Sequence, residues 1–339
     1  MNSLSIQSFD EFRGLLRDLP GPDAAAAARC AEREPRLTKP AGSLGRLEDI
    51  ALWLAAWQGR HPPRMDHPHA RVFAGNHGIA ALGVSAFPAE VTVQMVANFQ
   101  AGGAAINQLC HAFGTELAVE ALRLDQPTAD FTRGPAMSEA ECVEALNAGL
   151  RSVTPGSDVL CLGEMGIGNT TVASALCHGL FGGAAEEWCG RGTGVADDGL
   201  ARKVAVVAAG VEANRSDDAL EILRRLGGRE LAAIAGAVVG ARLLRVPVLL
   251  DGFVCTAAAA PLHAAMPGAL DHCLVGHASA EYAHGRLIDR LGKAPLLDLG
   301  MRLGEASGAA LAVAILKGAV ACHAGMATFG EAGVSEGGA

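Results

Sequence analysis

Short apolar segments that end in glycine or a polar residue, each followed by a helical pattern, constrain the fold of this chain most. Strands are predicted over 70–75, 116–121, 158–163, 246–251, 273–276 and 295–299. Helices are predicted over 88–101, 138–151, 169–180, 199–213, 229–244, 255–265, 280–291 and 305–323. Because strands alternating with helices form βαβ units, the sequence predicts an α/β fold, a Rossmann-like, three-layer parallel sheet flanked by helices.

The two ends of the chain are predicted to form a second, smaller domain. Apolar residues recur at helical spacing over 7–59, and the helix after Glu305 is apolar on nearly every side, which indicates burial. We expect residues 1–60 and 305–339 to build a small helical domain, and residues 61–304 to build a large α/β domain that binds the ligand. The last helix is expected to pack on the N-terminal helices or on another subunit.

Composition excludes several kinds of partner. The formal net charge of −9 argues against binding to nucleic acid or to an anionic membrane. Nine cysteines without Cys-x-x-Cys spacing indicate reduced core residues. The longest apolar stretches are interrupted by Arg242, Arg245 or Lys317, and residues 1–5 lack a secretory pattern. We therefore expect a cytoplasmic protein that does not bind a membrane.

The segment Gly163–Thr171 joins an apolar strand to an alanine-rich helix and carries Glu164. Gly166 and Gly168 permit close approach of the backbone, and Asn169 or Thr170 can cap the helix. A helix start offers free N–H groups to a phosphate, so one interpretation is a phosphate or ribose cradle. The other interpretation is an ordinary strand-to-helix turn.

A second glycine-rich segment, Gly190–Gly194, precedes the helix that carries Lys203. A lysine at this distance can reach back to a phosphate at the helix start. Alternatively, Lys203 is a charge on the surface of the helix.

The segment Met301–Gly308 places Glu305 at the start of the last helix. Burial raises the pKa of a carboxyl group and a helix N-terminus lowers it, so Glu305 suits a general base. The alternative is a glutamate that caps its own helix. His77, His277 and Ser279 follow other predicted strands as candidate ligand contacts, and Asp251 either joins them or caps the next helix. No grouping has the spacing of metal ligands.

Together, and in this order, these segments resemble the nicotinate-nucleotide:dimethylbenzimidazole phosphoribosyltransferase family. The resemblance covers essentially the whole chain. It runs through 39–48 (KPAGSLGRLE), 76–78 (NHG), 163–171, 249–253, 277–281 and 301–310. An aspartate is frequent in the family where Asn76 stands, which puts a charge-based role at that position in doubt.

The resemblance implies transfer of the phosphoribosyl group of nicotinate mononucleotide to 5,6-dimethylbenzimidazole, with no cofactor or metal. It implies that Glu305 is the general base and that Glu164 either binds the ribose or has a supporting role beside the base. The phosphoribosyl group is expected at Gly166, Gly168, Asn169, Gly190, Gly192, Lys203, Ser279, Leu303 and Gly304. The incoming base is expected against Phe87, Val91 and Met95, on one helical face after Pro88. A homodimer is also implied.

Two other functions share parts of this pattern. A hydrolase that cleaves nicotinate mononucleotide with water would need the same phosphoribosyl cradle. It would also need a polar group or a water molecule in place of the apolar face formed by Phe87, Val91 and Met95. A non-catalytic nucleotide sensor would have little use for two carboxylates beside a phosphate. The order of binding and the choice among benzimidazole, phenolic or purine acceptors do not follow from the sequence.

Overall fold

In the computed structural model, which describes residues 4–192, 194 and 196–335, six parallel strands form one sheet. The strands β1 to β6 are Pro68–Ala74, Glu116–Ala121, Val159–Met165, Val248–Leu250, Cys273–His277 and Pro295–Leu297. Their order across the sheet is β2-β1-β3-β4-β5-β6. All six predicted strands and the parallel sheet are thereby confirmed. Thr193 and the two ends of the predicted small domain, 1–3 and 336–339, lie outside the described residues.

Helices cover both faces of the sheet. Helices α1 to α14 are Phe9–Arg17, Ala24–Arg33, Arg46–Gln58, Val91–Gln100, Ala105–Phe113, Glu139–Ser152, Asn169–Phe181, Asp197–Ala213, Ala219–Leu226, Arg229–Leu243, Phe253–Ala265, His284–Arg290, Ser307–Gly325 and Phe329–Ala332. The short helices α5 and α9 were not predicted. Helices of eight or nine residues have little stability of their own and depend on tertiary packing.

The three layers follow from the alternation of side chains along the buried strands. On β3, Leu160 and Leu162 join a core formed with α6, α7, α10 and α11. Cys161 points to the other face and joins a core formed with α3, α5 and α13. All nine cysteines are free thiols and eight of them are buried, which confirms the prediction of reduced core residues.

Helix α13 packs on β3 to β6 and also on α3 and α5. The prediction that this helix is buried is correct for one of its faces, which includes Ala309, Val313 and Leu316. Leu311 and Ile315, on the other side, are only half-buried. Among the described residues, α13 alone is long and apolar enough to cross a membrane, although Lys317 interrupts its apolar sequence. Its packing against the sheet is typical of a core helix. The division into two domains stays a prediction.

The segment 39–48 forms a compact ion cluster. Nζ of Lys39 lies 3.1 Å from a carboxylate oxygen of Glu34 and 2.7 Å from one of Glu48. Glu48 also accepts a hydrogen bond from the backbone N–H of Leu44. The Lys39 side chain is 6% exposed, so this cluster fixes the chain between α2 and α3.

Candidate active site

The predicted carboxylates meet beyond the carboxyl ends of the strands, where ligands bind in open parallel sheets. Glu164 lies near the end of β3, and Glu305 lies in the loop that joins β6 to α13. They line a common cavity of about 80 Å³. Seven predicted site residues line it: Glu164, Gly166, Asn169, Ser279, Leu303, Gly304 and Glu305.

A second cavity, of about 550 Å³, adjoins the first, and Glu281 and Arg302 line both. Its wall includes Gly190 and Gly192. Sites for small molecules commonly measure about 300–1,000 Å³. The carboxylate cavity alone is too small for a nucleotide, and the two cavities together provide the room.

Glu305 occupies a strained turn directly before α13. Its φ is +62°, and that of Ala306 is +66°, in the left-handed region that L residues rarely adopt. The side chain is buried, and burial raises its pKa to about 7. Burial therefore outweighs the helix N-terminus, which would lower the pKa of this carboxyl group. Near neutral pH Glu305 can both lose and accept a proton.

The capping alternative for Glu305 is not supported by the start of α13. The N-cap residue is Ala306, whose side chain makes no capping hydrogen bond. Instead, Oδ1 of Asp251 accepts a hydrogen bond from the N–H of Ala309, at 2.9 Å. Asp251 thus caps α13 rather than the helix that follows it in sequence, and the Glu305 carboxylate is left to line the cavity.

Glu164 is buried beside other acids. Burial is the main cause that raises its pKa well above the ordinary value, and Asp251, Glu230 and Glu305 add to the effect. Nδ2 of Asn169 donates a hydrogen bond to Oε2 of Glu164. A Cβ on Gly304 would lie 2.5 Å from Oε1 of Glu164. Only glycine therefore allows the loop that carries Glu305 to approach so closely.

Lys203 forms the floor of the glycine-rich loop. It is 1% exposed, which excludes the interpretation as a surface charge. Nζ donates to Oγ1 of Thr170 at 2.8 Å and to the carbonyl of Gly190 at 3.1 Å. A Cβ on Gly192 would lie 3.0 Å from the same Thr170 oxygen. A buried cation, a hydroxyl and two glycines thus converge, as expected of a phosphate site.

Gly166 and Gly168 shape the turn that opens α7. Gly168 has a φ of +91° and is the N-cap residue, and Asn169, expected as the cap, is the first residue of the helix. Beneath the turn, Nε2 of His77 lies 2.6 Å from Oε1 of Glu230, and both side chains are fully buried. His77, a candidate ligand contact, therefore packs under Gly166 and does not line the cavity.

The three residues expected to bind the base lie apart from the carboxylate cavity. Val91 and Met95 share one face of α4, but the helix begins only at Val91, so Phe87 precedes it. Phe87 is 50% exposed. Helix α4 contacts the site through a different residue. Oγ1 of Thr92 accepts a hydrogen bond from the N–H of Ile167, which lines the carboxylate cavity. The role of these three residues stays a prediction.

Sequence reasoning gave no role to Arg302 and offered Thr170 only as an alternative helix cap, a position that Gly168 occupies. Arg302 lines both cavities and donates to the carbonyl of Gly192, at 2.9 Å. Both residues stood inside quoted motifs, yet only the fold shows that Thr170 contacts Lys203. Among the residues that the structure describes, no group of three or more histidine, cysteine, aspartate or glutamate side chains is arranged to hold a metal ion.

Comparisons with known proteins identify the family of this chain. A family model described as phosphoribosyltransferase matches residues 19–334. The nicotinate-nucleotide–dimethylbenzimidazole phosphoribosyltransferase of Ruegeria pomeroyi is 63% identical over 333 residues, which cover 98% of this chain and 99% of the relative. The protein of the same name from Sinorhizobium medicae is 59% identical over 335 residues, with the same two shares covered.

Solved structures show the same similarity. The crystal structure of CobT from Thermus thermophilus superposes with a TM-score of 0.86 at 41% identity, covering 92% of this chain and all of that one. A second structure from that organism, titled as the same phosphoribosyltransferase, has a TM-score of 0.85 and 39% identity over 93% of this chain.

Proposed function

This chain belongs to the phosphoribosyltransferase family that these comparisons identify, and on that basis we propose which residues perform its reaction. It is an enzyme of cobalamin biosynthesis that transfers the 5-phosphoribosyl group of nicotinate mononucleotide to 5,6-dimethylbenzimidazole. The observation that carries the residue roles is the cavity at the strand ends, where two buried carboxylates adjoin the cradle of Lys203.

The chemistry requires one base and no redox step. A benzimidazole nitrogen attacks C1′ of the ribose, and the bond from C1′ to the pyridinium nitrogen breaks. The bonding pair neutralises that ring, so nicotinate is a good leaving group. The benzimidazole becomes cationic, and loss of the proton from its other nitrogen gives α-ribazole 5′-phosphate. Attack opposite the leaving group inverts the anomeric carbon from β to α.

The proton goes to Glu305. Both carboxyl groups have raised pKa values, and that of Glu305 is about 7. At neutral pH Glu305 is therefore sufficiently ionised to accept a proton. Glu164, which is buried among other acids, contacts the ribose.

The phosphate binds at Lys203 and the glycines of the neighbouring loop. Burial lowers the pKa of Lys203, so its ammonium group lacks the hydration that would otherwise stabilise its charge. A phosphate dianion would supply the missing counter-charge. Gly192 leaves room for it, because a Cβ there would lie 3.7 Å from Nζ of Lys203.

The remaining features of this proposal concern the acceptor and the assembly. The flat apolar acceptor binds on the side of the cavity nearest α4, against Phe87, Val91 and Met95. The enzyme is a homodimer in the cytoplasm. Support for the homodimer comes from the half-buried apolar residues on the outer face of α13, such as Ile315.

The first experiment follows nicotinate release by chromatography from nicotinate mononucleotide in EDTA, with and without 5,6-dimethylbenzimidazole. Release that needs the benzimidazole, with formation of a ribazole phosphate, is the expected result. Release without the acceptor would instead show a hydrolase. Binding of the nucleotide without any release under either condition would show a sensor.

A further inference from the structure

We propose that Asp251 is a positioning residue for the general base: it holds the strained turn that carries Glu305 and presents a charge to it. The inference rests on the role proposed for Glu305. A fully buried aspartate lies directly after β4, next to the cavity and outside its lining.

The turn that carries Glu305 needs an external restraint. Gly304, Glu305 and Ala306 all have positive φ, at +85°, +62° and +66°. Glycine adopts this conformation freely, but two successive L residues do so only at a cost in conformational free energy. Surrounding contacts must therefore hold the turn.

Asp251 supplies that restraint from the end of β4. Oδ1 of its carboxylate accepts a hydrogen bond from the backbone N–H of Ala309, and the backbone N–H groups of Gly308 and Ala306 also favour the charged form of Asp251. These donors stand at the start of α13, where the N-cap residue offers no side-chain acceptor. On the opposite side, a Cβ on Gly163 would lie 2.2 Å from the N atom of Ala306. The turn is thus clamped between β3 and Asp251.

Asp251 also acts on Glu305 through its charge. Burial raises the pKa of Asp251 to about 7, and the charge of Glu305 contributes to that rise. Burial is the main cause of the raised pKa of Glu305, and because a charge interaction is mutual, removal of the Asp251 charge should lower that pKa further towards its ordinary value. The other titratable groups that face Asp251 are Glu164 and Cys161 on β3, Cys255 on α11 and His277 on β5, whose Nε2 lies 3.6 Å away.

Asp251→Asn separates the two effects, because it keeps one acceptor oxygen and the shape of the side chain but carries no charge. We expect the KM for nicotinate mononucleotide to change less than about twofold, since the phosphate cradle is untouched. The acid limb of the kcat profile should move to lower pH, and the plateau should fall because a less basic carboxylate is a poorer catalyst.

Asp251→Ala removes the hydrogen bonds as well, and kcat should fall by about 10²-fold. If that variant does not fold, the double variant Asp251→Asn/Glu305→Gln carries the test. A positioning residue acts through Glu305, so Asp251→Asn should cost little more once Glu305 is replaced. Asp289→Asn, an exposed aspartate of α12, is the matched control.

An unchanged pH profile for Asp251→Asn, or full additivity in the double variant, would overturn this proposal. The proposed function fails in a different way, since full turnover by Glu305→Gln alone would remove Glu305 as the base. The two failures are therefore distinguishable.

Discussion

Replacing Glu305 by glutamine should abolish most turnover and at the same time make the folded protein more stable above pH 7. The structure holds this side chain buried, with a pKa raised from 4.5 to about 7. Burial therefore favours the protonated form of the folded state. A raised pKa means that the stability contributed by Glu305 is complete below pH 4.5 and is lost as the pH rises through 7.

The size of the effect on stability follows from that pKa. At about 1.4 kcal/mol per pKa unit, ionising Glu305 costs the folded state about 3 kcal/mol, and glutamine avoids this cost. For a chain of this length we expect Tm at pH 8.5 to rise by roughly 5 °C. Turnover should fall by about 10²–10⁴-fold, the usual contribution of a general base, with little change in the affinity for nicotinate mononucleotide.

The assay compares thermal unfolding of the wild type and Glu305→Gln at pH 5, 7 and 8.5, together with initial rates of nicotinate release. The difference in Tm should be smallest at pH 5 and grow with pH. Glu32→Gln, an exposed glutamate of α2, should match the wild type throughout. A stability difference that is independent of pH, or normal turnover by the folded variant, would refute the reasoning.

Four further substitutions test other parts of the structure. Lys203→Met should raise the KM for nicotinate mononucleotide by about 10- to 100-fold and leave the KM for dimethylbenzimidazole unchanged in steady-state kinetics. Gly304→Ala should lose most turnover while retaining its circular dichroism, since the added Cβ would meet Glu164 at 2.5 Å. Met95→Ala should raise the KM for the benzimidazole alone. Lys39→Met should leave kcat unchanged but lower the free energy of unfolding by about 3 kcal/mol, because it removes the cation that the largely buried carboxylates of Glu34 and Glu48 share.

Much of the fold could be predicted because its signals are local. Each strand is a short apolar run that ends in glycine or a polar residue, and all six lie where the sequence placed them. The convergence of Glu164 and Glu305 also followed, since the carboxyl ends of parallel strands meet at one edge of the sheet. Residue type and local pattern were sufficient for both conclusions.

The sequence by itself therefore determined the parallel α/β architecture, the family and the two carboxylates. The tertiary structure alone decided what each side chain faces. Asp251 caps α13 although the two bonded residues are 58 positions apart in the sequence. Lys203 is buried beneath the glycine-rich loop, although the local sequence was also compatible with a lysine on the protein surface. Hydrogen bonds and desolvation depend on segments brought together from distant parts of the chain, so no local pattern encodes the pKa of about 7 that suits Glu305 to catalysis.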